Sequence, residues 1–191
     1  MDINSLDKSW TLFLDRDGVI NKKINNDFVL DWEEFEYCSL AIAAISILSN
    51  YFSRIIIVTN QRCVDEGLLL EKDLMKIHAN LLSDIREYAN VVDRIYFCPH
   101  TKMSDCKCRK PKTGMALQAK EDFPDINFEK SIMVGDSVTD LEFGRRLNMK
   151  TVFISDEENP VLMDNLADSV FQSLFNFANY IDSKFAGVSN I

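Results

Sequence analysis

The sequence has no apolar run approaching the roughly 20 residues that a membrane-spanning helix needs. The longest candidate is the stretch Ala41–Leu48. The first ten residues, Met1–Trp10, are polar and charged, and they lack the apolar central region of a secretory signal peptide. We therefore expect no membrane partner and a cytoplasmic location.

Basic charge is also scarce, with 21 Lys and Arg against 30 Asp and Glu and a formal net charge of −9. Proteins that bind nucleic acid need clustered basic residues along the phosphate backbone. The acidic balance therefore argues against a nucleic-acid partner. A small anionic ligand stays compatible with the sequence, because one short segment carries four basic residues: Lys107, Arg109, Lys110 and Lys112.

No internal repeat, low-complexity segment or long Pro/Gly linker interrupts the 191 residues. A chain of this length can bury a core that is large enough to fold as one unit. We therefore expect a monomer with a single domain that spans residues 1–191.

Four short apolar segments are typical of buried strands, because consecutive apolar residues suit strands that are covered on both faces. They are Thr11–Leu14, Arg54–Thr59, Ser131–Val134 and Thr151–Ile154. Helical spacing of apolar residues appears in four other stretches: Ser39–Ser49, Leu74–Ala89, Leu141–Asn148 and Val161–Ile181. This alternation predicts an α/β fold, a Rossmann-like parallel sheet with helices on both faces. In such folds ligands bind beyond the carboxyl ends of the strands.

The segment Asp15-Arg16-Asp17-Gly18 directly follows the first predicted strand. A carboxylate in this position can attack phosphorus and form an aspartyl phosphate, provided that a divalent cation screens its repulsion from the phosphate. A second carboxylate two residues later can protonate the leaving oxygen and then deprotonate a water. Gly18 permits the turn that this needs. Asp15 and Asp17 are therefore candidate catalytic residues, although a solvated turn after a strand has the same sequence.

Polar residues stand at two other predicted strand ends. Thr59, which is followed by Asn60, can donate a hydrogen bond to a phosphate oxygen, although Thr ends many strands. Asp136 suits a hard cation that is bound through oxygen, and Asp140 lies one helical turn later as a supporting residue. The alternative is that Asp136 or Ser137 only caps a helix.

A basic segment, Cys108-Arg109-Lys110-Pro111, lies in the sequence between Thr59 and Asp136. A lysine beside a phosphate neutralises the charge that develops in the transition state. The guanidinium of Arg109 can clamp a second anionic group through its two parallel N–H donors. A run of charge is equally compatible with a solvated face.

Taken together and in this order, the motifs Asp-x-Asp-Gly, Thr, Lys and Gly-Asp-Ser-x-x-Asp resemble the haloacid dehalogenase superfamily of phosphohydrolases. The resemblance covers roughly residues 10–154, most of the chain. It implies a phosphatase in which Asp15 is the nucleophile and Asp17 the general acid and base. It implies a Mg²⁺ site formed by Asp15, Asp136 and the backbone carbonyl of Asp17. The substrate-binding residues that it implies are Thr59, Asn60, Arg109 and Lys110.

Three of the five cysteines lie close together with a histidine, as Cys98, His100, Cys106 and Cys108. Three thiols and one imidazole are a ligand set that closes a tetrahedral structural Zn²⁺ site. Structural disulfides are not expected in a chain without an export signal. A bound zinc ion would fix the loop that carries Arg109 and Lys110. The alternative is a metal-free cluster of partly buried thiols with a surface histidine.

The pattern Cys-x-His…Cys-x-Cys-Arg-Lys-Pro, with Asp-Arg-Asp-Gly and Thr-Asn-Gln, is similar to two groups of this superfamily. They are the D-glycero-D-manno-heptose 1,7-bisphosphate phosphatases and the histidinol-phosphate phosphatases, in which the cap domain is absent or minimal. Residues 26–37 and 111–115 are closer to the heptose group. That resemblance implies removal of the 7-phosphate, with Arg109 on the phosphate that is retained. The heptose group usually has a glycine in place of Cys63, and Asp65 and Glu66 add acidity nearby.

Other functions stay open on the sequence alone. The substrate could be histidinol phosphate or another small sugar phosphate. A polynucleotide 3′-phosphatase is disfavoured by the acidic balance. A zinc-stabilised binding module without activity would not need an intact set of catalytic motifs. Two further residues receive structural interpretations: Cys38 as a small buried side chain and His78 as a position on a helix face.

Overall fold

The structure is a computed structural model that describes residues 6–24, 27–88, 92–155 and 165–185. In chain order its elements are β1 (Thr11–Leu14), α1 (Ala41–Leu48), β2 (Arg54–Asn60), α2 (Glu71–Tyr88), β3 (Val92–Cys98), α3 (Gly114–Asp122), β4 (Ser131–Gly135), α4 (Val138–Arg145), β5 (Lys150–Ile154), β6 (Ser169–Phe171) and α5 (Leu174–Phe185). Within the described ranges, none of the helices combines the length and the apolar character needed to cross a membrane.

The strands of the described chain form one parallel sheet in the order β3-β2-β1-β4-β5-β6. Successive residues of β1 are completely buried and point to opposite faces. Leu12 and Leu14 belong to the apolar cluster that includes residues of α1, α2 and α5, whereas Phe13 belongs to the cluster with α3 and α4. The predicted α/β fold, with helices on both faces of a parallel sheet, is therefore confirmed.

Three elements, β3, α3 and β6, were not predicted, and one predicted helix begins later than expected. The edge strand β3 escaped prediction because its sequence, Val-Asp-Arg-Ile-Tyr-Phe-Cys, interrupts the apolar run with two exposed charges. The helix α3 has only weak apolar periodicity. The stretch 161–181 was predicted as one helix, but its described part contains strand β6, which pairs with β5, and the first turn of α5 begins only at Leu174. Ser173 caps that helix, since its Oγ accepts from the backbone N–H of Asn176 at 3.1 Å. Residues 161–164 and Ala89 lie outside the described part of the chain.

The order of the strands determines where polar side chains meet. β1 pairs with β2 on one side and with β4 on the other, and Leu14 lies opposite Val134. The crossovers therefore leave β1 in two opposite directions along the sheet, which opens a crevice beyond the carboxyl ends of β1 and β4. Asp15 directly follows β1, and Asp136 directly follows β4.

Candidate active site

A cavity of about 440 Å³ lies at the carboxyl edge of the sheet. It brings together residues that are distant in sequence but were each predicted to act in catalysis, in substrate binding or in holding Mg²⁺. Among the residues that line it are Asp15, Asp17, Thr59, Arg109, Lys110 and Asp136. The convergence of β1, β2 and β4 explains four of these positions, and the loop after β3 supplies the two basic residues.

Lys110 is a buried cation at the centre of this site. Its Nζ lies 2.8 Å from Oδ1 of Asp15 and 2.5 Å from Oδ1 of Asp140, and it also donates to the backbone carbonyl of Val58 at 2.8 Å. Burial lowers the pKa of Lys110, but Asp140 and Asp15 outweigh this effect and raise the net pKa above its usual value. The lysine therefore stays charged and partly neutralises two carboxylates that the fold has buried.

Lys110 does not fully compensate the carboxylates beside it. Burial, followed by repulsion from Asp140, raises the pKa of Asp15 well above its usual value, although Lys110 opposes the shift. Burial also raises the pKa of Asp136. Because burial is the largest cause of both shifts, the ionised forms of Asp15 and Asp136 lack part of the stabilisation that water would give them. A divalent cation is the species that would relieve both.

The geometry around Asp136 fits such a cation. One carboxylate oxygen each of Asp15, Asp136 and Asp140 lies within 4.8 Å of the others. Oδ1 of Asp136 is buried and has no hydrogen-bond partner among the described residues, which is costly unless a ligand completes it. Gly18 keeps the space open, because its φ of 90° and a built Cβ only 2.1 Å from Oδ2 of Asp136 exclude a side chain. The donors are all oxygen, as Mg²⁺ prefers.

Asp17 faces the same cavity but is held by a different set of partners. Its carboxylate accepts hydrogen bonds from Arg16 (2.8 Å), from Asn21 Nδ2 (2.9 Å) and from Gln61 Nε2 (2.7 Å). Burial raises the pKa of Asp17, but Arg16 and the amide donors outweigh burial, so the net pKa is lowered. The carboxylate cluster therefore contains Asp140 as its third side chain and not Asp17. The backbone carbonyl of Asp17 remains the predicted ligand from that residue.

Thr59 and Asn60 occupy the end of β2 as predicted, but they differ in what their side chains do. The hydroxyl of Thr59 is buried and accepts a hydrogen bond from Gln61 Nε2 at 2.8 Å, which leaves its own proton available. The amide of Asn60 is used inside the protein, because it accepts from the backbone N–H of Lys110 at 3.0 Å and donates to the carbonyl of Lys110 at 3.2 Å. Asn60 therefore holds the loop that delivers Lys110.

The predicted zinc ligands meet in the loop after β3. One ligand atom each of Cys98, His100, Cys106 and Cys108 lies within 4.8 Å of the others. Sγ of Cys98 is 3.7 Å from Sγ of Cys106 and 3.6 Å from Nδ1 of His100, close to the edge of about 3.8 Å that four ligands at 2.3 Å from a zinc ion define. Sγ of Cys108 lies 3.0 Å from Sγ of Cys98 and 3.3 Å from Nδ1 of His100. This arrangement can hold a tetrahedral metal ion.

The Cys/His cluster is joined directly to the cavity. Nη1 of Arg109 donates to the backbone carbonyl of His100 at 2.9 Å, and Arg109 also lines the cavity. The unusual acidic residue Asp65 braces the same loop, because its carboxylate accepts from Thr101 N–H (2.9 Å) and from Ser104 Oγ (3.0 Å). Its charge is thus committed to the loop, and Glu66 forms an ion pair with Arg62.

Several residues at the site escaped the sequence analysis. Lys23 forms an ion pair with Asp136, with Nζ 2.7 Å from Oδ2. Asn21 and Gln61 donate to Asp17; their proximity to the predicted motifs was the signal that could have identified them. His78 was interpreted as a plain helix position, but it is buried and bonded to Arg16. Cys38, predicted to be buried, is half-buried instead.

Comparisons with known proteins agree with this arrangement. A family model described as HAD-hydrolase-like matches residues 107–170. The D-glycero-alpha-D-manno-heptose-1,7-bisphosphate 7-phosphatase of Mycobacterium bovis is 36% identical over 170 residues, which cover 88% of this chain and 90% of the relative. The D-glycero-beta-D-manno-heptose-1,7-bisphosphate 7-phosphatase of Haemophilus influenzae is 33% identical over 171 residues, which cover 85% of this chain and 91% of the relative.

A solved structure is similar over nearly the whole fold. The D,D-heptose 1,7-bisphosphate phosphatase from B. bronchiseptica, complexed with magnesium and phosphate, superposes with a TM-score of 0.82 at 26% sequence identity. The match covers 92% of this chain and 99% of the other.

Proposed function

The chain belongs to the heptose-bisphosphate phosphatases of the haloacid dehalogenase-like hydrolases and is a phosphatase, and from this premise we propose that it removes the 7-phosphate of a D-glycero-D-manno-heptose 1,7-bisphosphate. The observation that carries the proposal is the group of Asp15, Lys110 and Asp136 at the mouth of the sheet, in which Asp15 and Lys110 are buried. The names of the relatives support the substrate.

Asp15 is the proposed nucleophile. One of its carboxylate oxygens attacks phosphorus, the bond between phosphorus and O7 of the sugar breaks, and an aspartyl phosphate forms. Lys110, at 2.8 Å from Asp15, and the free hydroxyl proton of Thr59 are placed to bind the phosphoryl oxygens as their charge changes. A water molecule then attacks phosphorus and releases Asp15 and inorganic phosphate.

Asp17 is the proposed proton donor and acceptor. It protonates O7 as the sugar leaves and then takes a proton from the attacking water. The hydrogen bonds from Asn21 and Gln61 stabilise the carboxylate that exists between these two steps. The lowered pKa of Asp17 in the free protein is consistent with the second half of the cycle; the negative charge of a bound phosphate would favour protonation in the first half.

Asp15, Asp136 and the backbone carbonyl of Asp17 are the residues proposed to hold Mg²⁺, with Asp140 as a support. When bound, the ion screens the repulsion between the Asp15 carboxylate and the phosphate. Asp140 contributes by fixing the turn after β4, because its carboxylate accepts from the backbone N–H of Ser137 at 3.1 Å. It also holds Lys110 from behind.

The Cys/His cluster is proposed to bind one structural Zn²⁺. All four positions of a tetrahedral ion would be taken by Cys98, His100, Cys106 and Cys108, so that no position would be left for a water. The contribution of this site to activity is the placement of the following residues, Arg109 and Lys110. Arg109 is proposed to bind the phosphate that stays on the sugar.

We also propose that residues 1–191 form one domain of a monomeric, cytoplasmic enzyme. The apparent mass in sedimentation equilibrium tests the monomer, with 22.0 kDa expected for one chain. A concentration-dependent dimer would contradict this part of the proposal and would leave the chemistry unaffected.

A panel of substrates tests the function. We expect the highest kcat/KM for the alpha or the beta anomer of the heptose 1,7-bisphosphate, with release of one phosphate and retention of the 1-phosphate. The relatives carry names for both anomers, so both belong in the panel, together with histidinol phosphate and a 3′-phosphorylated oligonucleotide. A higher kcat/KM for histidinol phosphate would show that the substrate is wrong, and no turnover of any member would favour a binding module.

A further inference from the structure

His78 is a buried titratable group that the proposed mechanism does not use. It lies on α2 and is only 3% exposed. Its Nε2 is 3.2 Å from Nη1 of Arg16, the residue between the two catalytic aspartates. The edge-to-face contact with the ring of Phe97, with centroids 5.6 Å apart, fixes the imidazole from the side of β3. His78 thus supports the turn that carries Asp15 and Asp17 from behind.

The direction of the hydrogen bond follows from the chemistry of the two side chains. A guanidinium group can only donate, so Nε2 of His78 must accept and carries no proton. Burial, together with the positive charge of Arg16, lowers the pKa of His78 to about 3. The ring is therefore neutral at neutral pH, and it can act as an acceptor without competing protonation.

Arg16 connects this histidine to Asp17. The arginine side chain is only 1% exposed, so each of its N–H groups needs a partner inside the protein. Nε and Nη2 face the carboxylate of Asp17, with Nη2 at 2.8 Å from Oδ1 and 3.1 Å from Oδ2. Nη1 points away from Asp17 and donates to His78. The guanidinium thus contacts Asp17 through Nε and Nη2 and contacts His78 through Nη1.

We propose that His78 is a positioning residue that accepts the Nη1 hydrogen bond of Arg16 and thereby holds the guanidinium flat against the carboxylate of Asp17. This inference rests on the proposed function, in which Asp17 protonates O7 of the leaving sugar. Without His78, Nη1 would lie in a buried space without an acceptor, and the guanidinium would rotate to find one. Asp17 would then lose the bidentate contact that sets its orientation.

The dependence on the leaving group separates this role from a general structural one. A sugar alkoxide is a poor leaving group and needs the proton from Asp17, whereas the p-nitrophenolate ion leaves with little assistance. The kcat/KM of a phosphatase with a covalent intermediate reports the steps up to the first irreversible transfer, which is the step that needs the acid. Damage to Asp17 should therefore reduce kcat/KM for the sugar substrate selectively.

The test uses His78→Leu, which removes the acceptor at similar volume, and His78→Gln, in which Oε1 can replace Nε2. For His78→Leu we expect kcat/KM on the heptose bisphosphate to fall by roughly 30-fold and on p-nitrophenyl phosphate by less than about threefold. His78→Gln should recover most of the loss. An equal fall on both substrates, a wild-type-like His78→Leu enzyme, or no recovery in His78→Gln would overturn the proposal.

Two further outcomes distinguish a failure of the role proposed for His78 from a failure of the proposed function. If the wild-type enzyme cleaves p-nitrophenyl phosphate but not the heptose bisphosphate, the substrate assignment fails, and the comparison proceeds with another alkyl phosphate that is turned over. If neither is cleaved, side-chain ¹⁵N NMR of the wild-type protein decides, and His78→Gln assigns the signals of the two histidines. We expect Nε2 of His78 without a proton between pH 5 and 8; a protonated Nε2 would contradict the bond to Arg16.

Discussion

The protein contains two clusters of side chains that could hold a metal ion, and they are built in different ways. The carboxylate cluster, Asp15 with Asp136 and Asp140, lies at the ends of central strands and contains two lysines of the protein itself, Lys110 and Lys23. The Cys/His cluster begins at the last residue of the edge strand β3 and continues through a loop. In the described part of the chain, no lysine or arginine side chain is hydrogen-bonded to its sulfur atoms.

The carboxylate cluster and the Cys/His cluster differ in how each would tolerate the absence of a metal ion. Burial raises the pKa of Asp15 and also of Cys98, so each cluster contains a buried group that resists ionisation on its own. In the carboxylate cluster, Lys110 supplies part of the missing charge at all times. We infer that this cluster keeps its shape while substrate and cation come and go, whereas the Cys/His cluster depends on its metal for its shape.

The substitution with the largest expected effect removes the nucleophile of the carboxylate cluster and leaves the shape of the cluster unchanged. Asp15→Asn keeps the size of the side chain but removes its nucleophilic charge, so turnover should fall by roughly 10³-fold or more while the fold persists. Steady-state kinetics and circular dichroism measure the two. Asp105→Asn is the matched control, because Asp105 is fully exposed and pairs only with Lys112 in the loop. Turnover like that of the wild type in Asp15→Asn would refute covalent catalysis by this residue.

The next substitution removes Lys110, the buried lysine of the carboxylate cluster. Lys110→Met leaves the completely buried Asp140 without its ion-pair partner, which should lower the free energy of unfolding by about 3 kcal/mol. The double variant Lys110→Met with Asp140→Asn should recover most of this stability, because the unpaired charge is gone. Its turnover should stay at least roughly 100-fold below that of the wild type.

Chemical denaturation of the single and double variants measures this difference. Equal stability of the two variants would show that Lys110 does not act as a structural counter-ion. Full activity of the double variant would show that Lys110 is not needed to stabilise the transition state.

Loss of the zinc ion proposed for the Cys/His cluster should affect stability more than it affects turnover. Cys106→Ser removes one of four ligands, so we expect zinc to fall well below one ion per chain and the free energy of unfolding to fall by at least roughly 2 kcal/mol. Turnover of the folded fraction should fall only by roughly tenfold, because Arg109 and Lys110 are misplaced but present. Cys38→Ser, outside the cluster, is the control. A metal-free wild-type protein of unchanged stability would contradict the structural role.

The smallest effect concerns the second lysine at the carboxylate cluster. Lys23 must leave Oδ2 of Asp136, at 2.7 Å, before a cation can use that oxygen. Lys23→Met should therefore tighten Mg²⁺ binding, by roughly threefold because the ammonium group is half-exposed and its ion pair is weak. Calorimetric titration with Mg²⁺ measures the change. Lys22→Met is the matched control, since Lys22 pairs with Glu36 at the surface; an unchanged or weaker affinity in Lys23→Met would contradict the competition.

Much of the candidate site could be predicted because the motifs follow strands with a strong apolar signal. Asp15, Thr59 and Asp136 come at or next to the ends of β1, β2 and β4, respectively, and parallel strands bring such ends to one edge of a sheet. The spacing within Cys98–Cys108 predicted for a similar reason that its three cysteines and one histidine lie close together, since short loops return side chains to one point. These predictions needed only local patterns and one rule of topology.

Other contacts could not be predicted because they join distant loops. The amide of Asn60 was expected to contact substrate, but it binds the backbone of Lys110, which is 50 positions away. Asp65 was expected to add negative charge near the substrate, but it binds Thr101 and Ser104. Lys23 meets Asp136 across 113 positions. No periodicity or motif encodes such pairings.

The sequence by itself determined which side chains stand at the mouth of the sheet, because hydrophobic patterning places the strands and the strand ends place the carboxylates. Only the tertiary structure decided how charge is distributed among them. Whether a buried carboxylate is paired with Lys110, with Arg16 or with no cation depends on how closely the fold brings together side chains from separate loops. Arg16 between Asp17 and His78 is the clearest case: its place in the motif was visible from the start, and its second partner, 62 positions away, came from the fold.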